Sequence, residues 1–375
     1  MKAKTELKAV RNLPLKSFRL QHFKAVRDSG LVTFTPLTVF IGNNGSGKSS
    51  LIEGLETLHS ILLQGLDAAF LPWRGFEHVW NKAVSHTLKE NQVGRLEPTG
   101  SMGFEISGNG RKSVFSGKFQ ITTDKAGNRL VMTSEDFFTW VSILHGPDNV
   151  ETRRGSVENW EENVSQWQFL NLEPSLMLDP QPETRTTRDI RLAKNGSNIA
   201  QFLQSIADKE PAILEGIAET LKSVIPYATD LRPAITKELQ RTVYLRLNEE
   251  GIPEPLAGWL LSQGTLRIVA LLAVLRHPSP PSVVFIEELE NGMDPRTIHL
   301  LVEEIRSFLQ NGGQVVATTH SPYLLDLLDL SHIVVVERGK TGAPTFTRPS
   351  KQKLKGWAEK FAPGRLYTMG SLTTS

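Results

Sequence analysis

The sequence has no cysteine, only 4 tyrosines and 6 methionines, and a formal net charge of just +2. Without cysteine there are no disulfides and no thiolate metal sites, which suits a reducing compartment and makes a cytoplasmic location the expectation. The small net charge neither demands nor excludes a nucleic-acid partner, so any basic patch has to be local. Long apolar runs are missing too. The longest, Ile268 to Leu275, lies between Arg267 and Arg276 and is far too short to span a bilayer. The opening Met-Lys-Ala-Lys-Thr-Glu-Leu-Lys lacks the apolar core of a signal peptide, so a soluble protein with no membrane partner is expected. Internal repeats and sustained heptads are also absent, which excludes a long coiled-coil arm. What remains is a globular composition, 39% hydrophobic and 22% charged over 375 residues, enough for one large domain or two ordinary ones.

Against that plain background one stretch stands out. Gly42, Asn43, Asn44, Gly45, Ser46, Gly47, Lys48 and Ser49 fit the pattern G-x-x-x-x-G-K-[ST] at every fixed position. The flanks fit as well: Leu37 to Ile41 is an apolar β-forming run, and Ser49-Ser50-Leu-Ile-Glu reads as a helix. In a strand–loop–helix setting the backbone N–H groups and the positive helix end point into the loop and bind phosphate. Lys48 would reach the β- and γ-phosphates and Ser49 would hold Mg²⁺, so ATP and Mg²⁺ are the expected ligands. The competing reading is a Gly/Ser/Asn turn that happens to contain a lysine.

The rest of the chain divides by pattern. Leu13–Phe23, Leu31–Phe34 and Leu37–Ile41 read as β-runs, the helix after the loop extends to about Leu63, and Trp73 to Phe76 reads as a loop. Alternating segments between Ser101 and Met132, separated by Gly- and Asn-containing turns, predict an antiparallel meander. Residues 144–190 carry no clear pattern; amphipathic helices are expected at Ser197–Asp208 and Pro211–Ile225. Beyond Val243, helices at Thr265–Arg276, Pro295–Leu309 and Pro322–Leu328 alternate with strands at Ser282–Ile286, Gln314–Thr319 and His332–Glu337. Alternation of this kind argues a mostly parallel sheet with helices on its faces. The expected divisions are 1–143 with the phosphate loop and meander, 144–240 as a mostly helical insertion, and 241–375 as a second lobe.

That second lobe holds the remaining chemistry. The apolar strand at Ser282–Ile286 runs into Glu287 and Glu288, where one acid would organise the hydration of Mg²⁺ and the next would polarise an attacking water. A buried strand followed by a solvated acidic turn explains the same pair. Ser262, in Leu261-Ser-Gln-Gly-Thr265, precedes an apolar helix and offers either an anion site without a lysine or an ordinary N-cap. Asp294 before Pro295 is likewise a cap or a functional turn residue. His320 ends the next apolar strand, where a γ-phosphate contact competes with a structural role.

In this order the motifs resemble the ABC-type ATPase superfamily. Asn-Asn-Gly-Ser-Gly-Lys-Ser, Leu-Ser-Gln-Gly-Thr-Leu-Arg, Glu-Glu-Leu-Glu-Asn-Gly-Met-Asp-Pro and Thr-Thr-His-Ser-Pro look like its RecF/OLD/SMC-related branch, and most of all like stand-alone bacterial AAA family ATPases, some of which serve anti-phage modules. Residues 13–66 and 240–340 match in order, and Asn195–Asn198 and Leu366–Gly370 are also similar. The resemblance implies an α/β P-loop NTPase fold, an ABC ATPase head with a β-meander lobe and a helical insertion. It implies two subunits sandwiching two ATP molecules, with Lys48 and Ser49 acting on the subunit's own nucleotide. Glu287 takes the Mg²⁺-organising position, Glu288 is the catalytic base and His320 the γ-phosphate switch. Ser262 and Gly264 act on the partner's nucleotide, and Asp294 lies at the dimer seam.

The chain departs from the family in two places. Glu287 stands where the family usually has Asp, and the Q-loop glutamine is not identifiable, Gln166 and Gln168 being the options. Arg74 reads as a surface arginine or as a contact to nucleotide or DNA. No Toprim-like nuclease segment follows His320, so the implied function is an ATP-dependent homodimer that senses or gates nucleic acid with a separately encoded nuclease, in DNA repair or anti-phage defence. The alternative is an ATP-dependent regulatory scaffold that binds a protein partner and no nucleic acid. A transporter subunit ranks third.

Overall fold

Apolar residues spaced along short β-forming runs dictate the first half of the chain. The computed structural model describes residues 13–81, 89–90, 96–97, 101–110, 114–123, 129–135, 138–143, 150–155, 160–183, 190–236, 241–339, 342–350, 352, 354 and 356–372. These fall into two compact units, Met1–Trp167 with Leu328–Ser375, and Gln168–Leu327.

In the first unit, strand β1 (Ser17–Phe23) buries Phe18, Leu20 and Phe23 completely. It pairs antiparallel with β2 (Val26–Asp28) and β3 (Val32–Thr33). Strand β4 (Leu37–Ile41) has every residue buried and leads into helix α1 (Lys48–Gln64). Leu51, Leu55, Leu58 and Leu62 give α1 a buried stripe at the helical period. The helix lies close on β1, because a Cβ placed on Gly54 would meet Leu20 Cδ2 at 2.5 Å. The expected meander follows as β5 (Met102–Asn109) and β6 (Val114–Thr123), and continues past Met132 through β7 (Leu130–Glu135), β8 (Phe138–Ile143) and β9 (Val150–Gly155). All of these pairings are antiparallel, and β5 joins the meander to β1.

The second unit opens within β10 (Trp167–Leu170). Helices α2 (Ile199–Lys209) and α3 (Pro211–Leu221) arise where expected. The 144–240 stretch is nevertheless not mostly helical, for α2 and α3 pack on strand β11 (Ala228–Ile235), which pairs antiparallel with β12 (Thr242–Glu249). Then come α4 (Gln263–Leu275), β13 (Val283–Ile286), α5 (Pro295–Gln310), β14 (Gln314–Thr319) and α6 (Pro322–Asp326). Strands β13 and β14 are parallel, with Val283 opposite Gln314 and Ile286 opposite Ala317. The chain then returns to the first unit as β15 (Ile333–Arg338), parallel to β4, with β16 (Pro344–Thr347) antiparallel beside it and helix α7 (Pro363–Thr368) beyond.

Several readings shift. The Leu13–Phe23 run forms a strand only from Ser17, and Leu31–Phe34 shortens to two strand residues. The Trp73–Phe76 loop is a tight turn, Arg74 and Gly75 both having positive φ, set between a 3₁₀ turn at Leu71–Trp73 and a short helix at Phe76–Val79. The meander turns expected around Gly110 and Lys125 fall largely outside the described residues.

Phe285 of β13 is fully buried and stacks on Phe169 with ring centroids 4.3 Å apart. Phe285→Ala should lower unfolding stability by about 3–5 kcal/mol, read from the midpoint and slope of urea denaturation. A loss under about 1 kcal/mol would show that this stack is not part of a tightly packed core.

Candidate functional site

The phosphate loop of the first unit is shaped by close backbone approach. A Cβ on Gly42 would meet Val336 O at 2.1 Å and Ser46 Oγ at 2.9 Å, so only glycine fits. Gly47 has φ +107°, and its Cβ would meet Pro344 Cγ at 2.6 Å. Helix α1 begins on Gly47 with no side-chain cap, leaving its first N–H groups without an intrahelical partner. Lys48 is 6% exposed, and its Nζ donates to the carbonyls of Gly42 at 2.6 Å and Asn43 at 3.1 Å. The buried Ser46 Oγ has no hydrogen-bond partner among the described residues. An orphaned hydroxyl, an uncapped helix start and a lysine resting on the loop's own carbonyls together fit a polyphosphate. Asn43, Asn44, Gly45 and Ser49 are exposed, and Ser50 half-buried, along the same loop and helix start. Tyr367, within the singled-out Leu366–Gly370 segment, donates from its hydroxyl to Asn43 Oδ1 at 3.5 Å. Burial, with the charge of Glu337 nearby, raises the pKa of that phenol, so it stays a donor at neutral pH.

In the second unit the signature residues and the acids come together. Ser262 is the N-cap of α4, its Oγ accepting from Thr265 N at 3.1 Å. Gly264 abuts the turn that follows the acids, for a Cβ there would meet Gly292 O at 2.4 Å. The turn itself hangs from neighbouring backbone: Glu287 N donates to Leu170 O at 2.9 Å, Glu288 N to Thr318 Oγ1 at 2.9 Å, and Leu289 N to Thr318 O at 3.0 Å. Glu288 adopts a left-handed φ of 49°, uncommon for a residue with a side chain. Its carboxylate is exposed and accepts from Asn291 Nδ2 at 3.2 Å. Glu287 is half-buried at the strand end.

Asp294 caps α5, accepting from Arg296 N at 2.8 Å, Thr297 N at 3.2 Å and Thr297 Oγ1 at 2.6 Å. The Thr297 hydroxyl, then these backbone donors, hold its carboxyl below the usual range. Both capping readings raised from the sequence are therefore present, and both caps are exposed. His320 immediately follows β14, also exposed, with its backbone N–H donating to Glu290 Oε1 at 2.6 Å. Gln168 lies in β10 and donates to Leu192 O at 2.9 Å. Arg74 is exposed.

Two residues emerge that the motif reading quoted without assigning a role. Glu290 binds both Thr319 Oγ1, at 2.7 Å, and His320 N, tying the acid turn to the end of the next strand. Arg267 is 2% exposed in α4 and donates to Leu172 O at 2.6 Å and Glu288 O at 2.7 Å. Its signal was a lone cation at the head of an all-apolar helical run.

A family described as "AAA domain, putative AbiEii toxin, Type IV TA system" matches residues 146–326. The chain is 25% identical over 167 residues, 44% of its length, to the DNA replication and repair protein RecF of Synechococcus sp. (strain JA-2-3B'a(2-13)), of which it spans 38%. It is 23% identical over 130 residues, 32% of its length, to the ABC transporter G family member STR2 of Petunia hybrida, of which it spans only 18%. Among solved structures, an SMC head bound to the C-terminal winged-helix domain of ScpA superposes with a TM-score of 0.60 at 14% identity, covering 90% of this chain and 99% of that one. An SMC head with an extended coiled coil, from Pyrococcus furiosus, does so with a TM-score of 0.57 at 12% identity, covering 92% and 98%.

Removing the loop's buried ammonium tests the phosphate site directly. Lys48→Ala should weaken ATP binding by roughly 10- to 100-fold, the value of a charge-assisted contact of about 1.5–3 kcal/mol, read by isothermal titration. Affinity unchanged within about twofold would mean that the loop does not hold the triphosphate. Motif order, fold and relatives point the same way: the chain is similar to ABC-type P-loop ATPases of the RecF/SMC-related kind, and it spans well under half of the curated relatives it matches.

Proposed function

We propose that this chain binds and hydrolyses ATP as a pair of identical subunits, and that ATP-driven pairing senses or gates nucleic acid, with a separately encoded nuclease as effector in DNA repair or anti-phage defence. The observation that carries this reading is a set of exposed residues at the ends of buried elements: Ser262 at the start of α4, Glu288 on the acid turn, Asp294 at the start of α5 and His320 just past β14, with α4 buried from Leu266 to Leu275. Chemistry-bearing residues left open at the ends of buried elements call for something to cover them. A second copy supplies it, because a helix start with no lysine of its own is an anion site waiting for a phosphate held elsewhere.

In this reading Lys48 neutralises the phosphates, and Ser262 with the backbone at Gly264 caps the partner's γ-phosphate. Glu288 orients and deprotonates the attacking water, while His320 contacts the γ-phosphate. Ser49 and Glu287 would hold Mg²⁺, which offsets developing charge on the transferred group. The likeness to RecF supports nucleic acid as the ligand class, and the SMC head bound to ScpA supports a head that docks a protein partner. No described helix is long and apolar enough to cross a membrane.

Glu288→Gln should keep ATP affinity but slow turnover by roughly 10²–10⁴-fold and accumulate the ATP-bound pair, seen by light scattering. Normal hydrolysis in this variant, with arrest in Glu287→Gln instead, would exchange the roles of the two acids. For the shared site, Lys48→Ala and Ser262→Arg subunits are mixed. A heterodimer then holds one doubly damaged site and one intact site, so activity absent from both parents should partly return. No recovery, with heterodimers confirmed by native mass spectrometry, overturns the composite site. The nucleic-acid part is read from ATPase rates with and without DNA. A response that fades steeply with salt supports it, and an unchanged rate favours the protein-binding scaffold.

A further inference from the structure

A buried guanidinium is costly, since an ion removed from water loses several kcal/mol of hydration unless polar partners replace it. Arg267 is 2% exposed, yet carbonyl oxygens rather than a paired carboxylate receive it. One terminal nitrogen donates to Leu172 O at 2.6 Å, just beyond β10; the other donates to Glu288 O at 2.7 Å, with Glu287 O at 3.4 Å. Its Nε, also buried, has no partner among the described residues. Burial pushes the guanidinium's pKa down, and the charges of Glu288 and Glu290 oppose that shift. The side-chain stem runs along the same turn, 4.0 Å from where a Cβ of Gly292 would lie. An apolar residue of similar length would fill this space without the cost of burying charge, so the donors need another explanation.

The backbone they hold is the one that aims Glu288. That residue sits at φ 49°, a conformation a side chain adopts only when its surroundings enforce it. Thr318 Oγ1 fixes its N–H and Arg267 fixes its carbonyl, so both flanks of the residue are pinned while the carboxylate stays exposed, with the Asn291 amide as its donor. A planar fork spans these two chain segments with a separate terminal nitrogen on each, whereas an ammonium offers its donors from a single point. We infer that Arg267 is the positioning residue for Glu288: it locks the acid turn in its left-handed conformation and joins it to α4, so that Ser262 and Glu288 move as one body. This rests on the reading of Glu288 as the base for ATP hydrolysis.

The test uses the full chain with Arg267→Lys, which keeps the charge, and Arg267→Met, which keeps the stem. The expected result in both is a fall in kcat of about 10²-fold, typical of a misplaced reacting group, with KM for ATP and ATP-driven pairing changed less than about twofold. Hydrogen exchange should quicken at the amides of residues 286–291 and stay unchanged at residues 42–50. Wild-type kcat and exchange in Arg267→Lys overturn the inference, because charge alone would then suffice. A raised KM with kcat intact, or exchange quickened evenly through residues 168–327, also overturns it, leaving Arg267 as core support. If Arg267→Met does not fold, the Lys variant decides. If the wild-type protein binds ATP without hydrolysing it, the hydrolysis reading fails, and the exchange contrast still decides whether Arg267 holds the turn.

Discussion

Contact of main chain with main chain, at distances no side chain would allow, is the constraint on which the phosphate loop and the acid turn each depend. At Gly42 the loop passes within 2.1 Å, measured to the missing Cβ, of Val336 O; at Gly264 the same measure to Gly292 O is 2.4 Å. The first contact presses the phosphate loop onto β15, the strand parallel to β4. The second presses the start of α4 onto the turn after the acids. Each brings backbone segments together at a helix start, because they can converge only if nothing bulkier stands between them. The exposed polar side chains are placed as a consequence.

How much of this could be read from the letters follows from the same physics. The phosphate loop was fully legible, since glycine, lysine and serine are required there by local geometry that nothing downstream can replace. The strand end at Ile286 was legible because a fully buried parallel strand is a continuous apolar run, and its end is marked by the first charge, at Glu287; the end at Thr319 is marked instead by His320 and the Ser-Pro that follows. The Leu13–Phe23 run overreached because burial is not the same as strand pairing. Leu13 and Leu15 are 4% and 0% exposed, yet they lie outside the strand. The 144–240 stretch was misjudged because Ala228–Ile235 mixes exposed and buried positions irregularly and contains Pro233, so its pairing with β12 depends on a partner distant in sequence. Caps carried two meanings that letters alone could not separate. Ser262 and Asp294 do cap helices, and capping leaves both on the surface, which is also what a site residue needs.

The least legible residue is the one with the most unusual environment. Arg267 follows Leu-Ser-Gln-Gly-Thr-Leu, and in sequence it reads as the polar edge of an apolar helix. Its burial depends on Leu172 and Glu288, which lie far away along the chain in both directions. Long-range placement of a cation leaves no periodic trace, whereas caps and phosphate loops are encoded within a few residues.

Charge balance around the acid turn explains why that cation sits on the inner side. Glu287, Glu288, Glu290 and Asp294 crowd one short segment, and like charges this close would repel each other and drive the turn open. Asp294 is offset by the donors of the α5 start, and Glu290 by Thr319 Oγ1 and the His320 N–H. Glu288 has only the weak amide of Asn291 on its outer face. A cation on the solvent side would neutralise it by pairing directly, and would then occupy the oxygens that a base must keep free. Placed behind the backbone, Arg267 lowers the electrostatic cost of the turn while touching only carbonyls. The carboxylate is left exposed with the Asn291 amide as its donor, the state that the proposed base needs if it is to receive a proton from water.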